Sequence, residues 1–178
     1  MHTKVIDFWF SKLTPKHWWK KDTTLDQDIR DRFQLIHNQA SACELFSWRH
    51  SPHGRLAEVI VLDQFSRNIY RDKAQAFTTD SLALALAQEA VHLGADKALN
   101  PAERSFLYMP YMHSESLIIH EQAVELFEKN GEKNNLDFEL KHKAIIERFG
   151  RYPHRNKILG RQSTAEEIEF LQQPGSSF

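Results

Sequence analysis

Apolar residues recur along the chain at steps of three and four, and no stretch alternates apolar and polar positions over the length of a strand. This pattern predicts helices throughout. Val5, Ile6, Phe8, Trp9 and Phe10 predict a short amphipathic helix, and Pro15 opens a further short turn carrying Trp18 and Trp19. Thr23 and Thr24 are expected to cap the next helix, with Asp26 and Asp28 near its positive end. Ile29, Phe33 and Ile36 give that helix its period, and it is expected to run on through Leu45 and Phe46. Ser51-Pro52 reads as an N-cap followed by proline at the first helical position. Residues 56–65 behind it are apolar on nearly every side, which predicts a central, buried helix.

Thr79 or Asp80 is expected to cap a helix from 81 to about 93, ended by Gly94. Asn100-Pro101-Ala102-Glu103 approximates a capping box with asparagine as the cap. Pro110 is expected to break the helix that follows, and Ser114 to cap the next one, which carries Leu117, Ile119, Ala123, Leu126 and Phe127 and stops at Asn130-Gly131. After a polar loop to Asn135, the residues Phe138, His142, Ile145 and Phe149 share one helix face, so His142 points inward. Gly150 and Pro153 end that helix. Thr164 and Glu167 then open a short last helix through Leu171. Leu56, Ile60, Phe65, Leu86, Leu117, Ile145 and Phe149 are the expected core positions. The fold class is therefore all-α: one domain over residues 1–178, with 1–20 as an N-terminal arm packed on the core and 173–178 as a tail. Helix pairs of similar size suggest a stack, although no 34-residue repeat signature is visible.

Composition narrows the function classes. With 178 residues, 41% of them hydrophobic and 26% charged, the chain is long enough for one good core and short for two. A formal net charge of −1 argues against a general polyanion binder. The single Cys43 excludes an intramolecular disulfide and any cysteine-based zinc cluster, and it reads as a small buried residue on a helix. The amino-terminal segment lacks a signal-peptide core because Asp7 interrupts it, and no window approaches a membrane span; a cytoplasmic location without membrane contact is expected.

Candidate chemistry gathers where helices end. Asp63 lies on the apolar face of the central helix, at the edge of the core, with Arg67 four residues on and Asn68 beside it. This is a structural ion pair or a carboxylate that aims an arginine into a pocket. His113 follows Pro110 closely, but adjacent Ser114 cannot pair with it as a nucleophile, and Glu115 reads as a first-turn acid. Residues 141–161 hold seven cations and one anion, a local charge of +6, so the remainder of the chain carries −7. Within that stretch Arg148, Arg151, Tyr152, His154, Arg155 and Asn156 concentrate hydrogen-bond donors in a turn fed by a buried helix. Ten histidines invite a test for metal, yet neither a His-Glu-x-x-His motif nor a four-ligand spacing is present. No metal site, no cofactor and no glycine-rich phosphate loop is expected; arginines and helix N-termini can hold an anion without one.

Several long motifs carry a resemblance. Leu62-Asp-Gln-Phe-Ser-Arg-Asn68, Glu103-Arg104 with Tyr108-Met-Pro110, His113-Ser-Glu115, and Arg148-Phe-Gly-Arg-Tyr-Pro-His-Arg-Asn156 with Leu159-Gly-Arg161 resemble the bacterial domain of unknown function 924 family. The resemblance covers nearly the whole chain; Ser66 stands where the family commonly has proline, leaving Arg67 and Asn68 in place. It implies an all-helical, tetratricopeptide-like fold of antiparallel helix pairs, and no activity.

From the residues themselves, the expected function is a pocket for a small anionic ligand. Its expected lining is Asp63, Arg67, Asn68, Arg148, Arg151, His154, Arg155 and Asn156, with His113, His142 or His154 as the acid or base if there is chemistry. The alternative is a helical module for a protein or peptide partner. RNA binding through 148–157 is the weaker alternative, and nucleic acid is not the expected partner.

Overall fold

The computed structural model describes residues 1–177, so the last residue of the expected tail lies outside the described residues. Among them there is no strand. Helix α1 (His2–Ile6) continues into a π-helical turn, Asp7–Lys12, and α2 (Pro15–Trp18) follows. Next come α3 (Thr23–Ser41) and, after a 3-10 turn at Phe46–His50, α4 (Pro52–Ile60). A second π-helical turn, Val61–Phe65, joins α4 without a break to α5 (Ser66–Ile69). The remaining helices are α6 (Asp80–His92), α7 (Pro101–Met112), α8 (Leu117–Asn130), α9 (Lys133–Phe149) and α10 (Ala165–Phe170).

The continuous rod of α4, π turn and α5 is the hub. Ser51 caps it through Gly54 N–H, and Pro52 occupies its first position. It packs against α1, α3, α6 and α7, and Leu56, Ile60, Leu62 and Phe65 are fully buried. Phe65 and Phe106 meet Trp9 edge to face, at ring-centroid distances of 5.6 and 5.4 Å, tying the N-terminal arm to the core. The buried residues of helix α6 are Ala83, Ala87 and Ala90, small side chains that bring it close to α4, with Leu82, Leu84, Leu86 and Val91 packed half-buried beside them. Helices α7, α8 and α9 follow one another through short connections, each packed on the next. A small second cluster joins Ile145 and Ile146 of α9 to Tyr152.

Several boundaries differ from expectation for physical reasons. Asp22, not Thr23 or Thr24, caps α3, accepting from Thr24 and Leu25 N–H. Helix α3 stops at Ser41 because Cys43 turns left-handed at φ 60°; Cys43 is exposed and outside any helix. Pro110 does not break α7. It falls in the last turn, where its missing N–H removes one bond of a helix that ends at Met112 anyway. Ser116 rather than Ser114 occupies the N-cap of α8, and α9 begins at Lys133 inside the expected loop. Leu117 is 39% exposed, because the inward face of α8 is His120, Ala123 and Phe127. Phe138 is likewise 48% exposed, since α9 turns Glu139, His142, Ile145 and Ile146 inward. Leu86 and Phe149 are only partly buried.

Candidate functional site

The wide π turn shapes one wall of the site. The Leu62 carbonyl accepts from Thr79 Oγ1 (2.6 Å), and the Asp63 carbonyl accepts from Arg67 Nη1 (2.9 Å). Turns of this kind concentrate at functional positions. Thr79 stands at the N-cap of α6 but makes no capping bond; its hydroxyl is committed to the rod instead. That contact sets Asp80, the first residue of α6, opposite Arg67, and the two form a bidentate pair at 2.9 and 3.0 Å.

Asp63 is fully buried and its carboxylate is surrounded by donors. His113 Nδ1 lies 2.7 Å from Oδ1, Arg67 Nη1 3.0 Å from the same oxygen, and Gln64 Nε2 donates to Oδ2 at 2.5 Å. Burial alone would raise the Asp63 pKa, but Arg67 and His113 outweigh it and hold the carboxyl far below the usual range. An ionised acceptor at Nδ1 fixes the His113 proton on that nitrogen, so the neutral ring carries its lone pair on Nε2. Burial, reinforced by Arg67, keeps His113 below the ordinary histidine value, against the pull of Asp63. The His113 side chain is 16% exposed, so the dyad reaches the surface.

Arg155 completes the cluster from the far end of the sequence. Its guanidinium lies 4.8 Å from the Phe77 ring centre and 4.5 Å from that of Tyr152. The residue is 7% exposed, yet Asp80 Oδ2 at 3.5 Å is its nearest carboxylate contact, and Nε has no hydrogen-bond partner. Burial and the neighbouring Arg67 both depress its pKa, the mark of a cation whose charge is incompletely answered.

Tyr152 holds this arrangement together. Its hydroxyl donates to the Met112 carbonyl at 2.5 Å, and Glu115 accepts its backbone N–H at 2.7 Å. Glu115 also takes both ends of Arg161, at 2.6 and 2.9 Å. Beneath the tyrosine, fully buried His120 bonds Glu139 at 2.6 Å and the Ser114 carbonyl at 2.9 Å. The carbonyl calls for a proton on His120 Nε2. Burial raises the Glu139 pKa, with His120 opposing. His142 and His154 pack on Tyr152 with ring centres 5.7 and 5.5 Å away. Burial lowers them to about 3 and about 4 respectively.

Of the residues singled out in the sequence, Asp63, Arg67, His113 and Arg155 meet in one cluster, with His154 and His142 against Tyr152 at its edge. The others are placed elsewhere. Asn68 joins Arg71 on Asp26 and ties the rod to α3. Arg151 pairs bidentately with Glu167 at 2.6 and 2.8 Å, and Asn156 bonds the same carboxylate. Arg148 lies on the surface with Glu166. Within the basic turn, Arg148, Arg151 and Arg161 are thus paired with Glu166, Glu167 and Glu115 respectively. Asp80 and Phe77 were not anticipated; an acid at a helix start reads as a cap, and nothing local marks it as an arginine partner. Among the described residues no group of histidine, cysteine and carboxylate side chains is arranged to hold a metal ion, and no helix is long and apolar enough to cross a membrane.

Fold and cluster together define an all-helical protein with a polar centre built at helix ends. The chain belongs to the family described as bacterial protein of unknown function (DUF924), whose model matches residues 5–175. A solved structure of a protein of unknown function from Agrobacterium tumefaciens superposes with a TM-score of 0.92 at 38% identity, over 96% of each chain. No curated protein matches the chain.

Proposed function

We propose that the cluster of Arg67, Asp80, Arg155 and His113 binds a small anionic ligand. The observation that carries this reading is Arg155. A guanidinium is a five-donor cation, and leaving one buried without full hydrogen bonding is costly. Here it lies over the rings of Phe77 and Tyr152, contacts that satisfy none of its donors. A carboxylate or phosphate oxygen is the natural complement, and Arg67, already aligned by Asp63 and Asp80, supplies a second cation beside it. Calorimetric titration with inorganic phosphate and with succinate tests the reading. Binding is expected, and Arg155→Gln is expected to weaken it by about 1.5–3 kcal/mol. Equal affinity in the wild type and the variant overturns it.

One observation favours a second reading, a tetratricopeptide-like module for a peptide. A groove of about 670 Å³ lined by Phe138, Ile145, Phe149 and Phe170 runs beside α9. It lies apart from the Arg155 cluster, and peptide capture unaffected by Arg155→Gln would favour it.

A further inference from the structure

We propose that His113 is the acid–base group of a catalytic site in which Nε2 takes the proton of an O–H group, from water or a substrate hydroxyl, beside an anion resting on Arg155 and Arg67. The proposal rests on the anion-binding reading and adds chemistry to it.

Three features of the geometry lead there. First, Asp63 touches Nδ1, so the nitrogen left with a lone pair is the one directed away from the buried carboxylate. The other neutral tautomer would place two acceptors face to face across 2.7 Å. Second, the carboxylate that orients the ring is itself clamped by Arg67 and Gln64. It stays ionised and does not take the proton from the ring; it stabilises the imidazolium once that forms. Third, among the described residues Asp63 is the side chain hydrogen-bonded to His113, so no serine, threonine or cysteine is aligned as a nucleophile. The O–H group must come with the ligand or from water.

The step balances without any co-reactant. An N–H bond forms at Nε2 as the O–H bond breaks, and the electron pair stays on oxygen, which becomes the nucleophile. The positive charge appears on the imidazole, opposite the negative Asp63. The nucleophilic oxygen bonds to the carbonyl carbon or phosphorus of an ester group in the anionic ligand as the bond from that atom to the ester oxygen breaks, and Nε2 returns its proton to the departing oxygen. Arg155, whose charge Asp80 answers only at 3.5 Å, faces the charge that the substrate carries and the charge that develops on it, with Arg67 beside it.

Every neighbouring element contributes to the electrostatics around His113. Asp63 comes from the π turn, Arg67 from α5, Asp80 from α6, His142 from α9 and His154 from the turn after it. Arg67 and burial favour the neutral ring, and Asp63 opposes them. An anion seated on the arginines adds an opposing charge close by, so it should draw a proton onto His113.

Ring nitrogen and carbon resonances of the isotopically labelled full chain test this directly. Above its titration, His113 is expected as the Nδ1–H tautomer. Succinate or phosphate is expected to raise its midpoint by about 1 pH unit. That shift should disappear in Arg155→Gln and persist in Arg148→Ala, whose arginine lies outside the cluster. An Nε2–H tautomer in the wild type overturns the proposal without any variant. If the anions bind and the His113 midpoint does not move, the acid–base role falls and the binding reading stands. If neither anion binds, the binding reading falls, and this proposal falls with it.

Discussion

Asp63 and His113 are separated by fifty residues of chain and by 2.7 Å of space. The contact joins the π turn of the central rod to the end of α7, and the loop after α7 carries the ligature to the C-terminal turn. Stability and candidate chemistry therefore share the same carboxylate. Asp63→Asn removes the charge that answers Arg67 while nearly preserving shape. Breaking one side of a buried pair costs about 3–5 kcal/mol. Arg67 keeps Asp80, so a loss toward the lower end is expected in urea unfolding. A loss under about 1 kcal/mol would mean that the buried carboxylate is not what holds the junction.

The buried histidines make the fold sensitive to acid. His142 has a folded pKa of about 3, below the ordinary value near 6.5. The unfolded chain then binds the extra proton first. Stability is fully present above about pH 6.5 and falls as the pH drops toward 3. At two pH units below the unfolded value the loss from His142 alone is about 2–3 kcal/mol. His154, held at about 4, adds to the same limb. Thermal unfolding followed from pH 7 to pH 4.5 should show the decline, and His142→Gln should flatten it. An unchanged slope in that variant would place the acid sensitivity elsewhere.

Tyr152→Phe keeps the ring that stacks on Arg155 but removes the hydroxyl bonded to the Met112 carbonyl. A buried acceptor left unsatisfied costs about 1–3 kcal/mol. The expected outcome is that loss in urea unfolding, with anion affinity lowered less than by Arg155→Gln.

Phe65→Ala and Phe149→Ala should separate the two apolar clusters. Phe65 is fully buried against Trp9 and Phe33, so truncation should cost about 3–5 kcal/mol. Phe149 is only partly buried, against Phe170, and should cost clearly less. Equal losses in chemical denaturation would contradict this division of the core.

The helices were legible where chain-local physics decides them. Ser51-Pro52, Asn100-Pro101 with Glu103, and Thr164 with Glu167 formed the expected caps because their partners lie within three residues. The buried face of α9 was harder to read. Phe138 falls on the apolar stripe with His142 yet is 48% exposed, while Glu139 beside it is buried, because burying Glu139 depends on His120 from another helix. The candidate site was legible in the same measure. Asp63 and Arg67 are four apart and could be paired by counting. Asp80 and Arg155 meet only after the chain has folded, and the carboxylates that occupy Arg148 and Arg151 come from α10.

The π turn in the central rod imposes a condition on length as well as on side chains. A regular helix advances by about 100° per residue, so its faces stay in phase from end to end. Five residues of wider winding shift that phase. Leu56 and Ile60 point to the core under one rotational setting, and Arg67 reaches Asp80 under another. Side chains between them can be exchanged and the offset survives. Deleting a single residue there would let the rod relax to uniform winding, and everything downstream would rotate by about a quarter turn relative to what precedes it. Arg67 would then leave Asp80, and the two ends of the chain would no longer agree on where the polar centre lies.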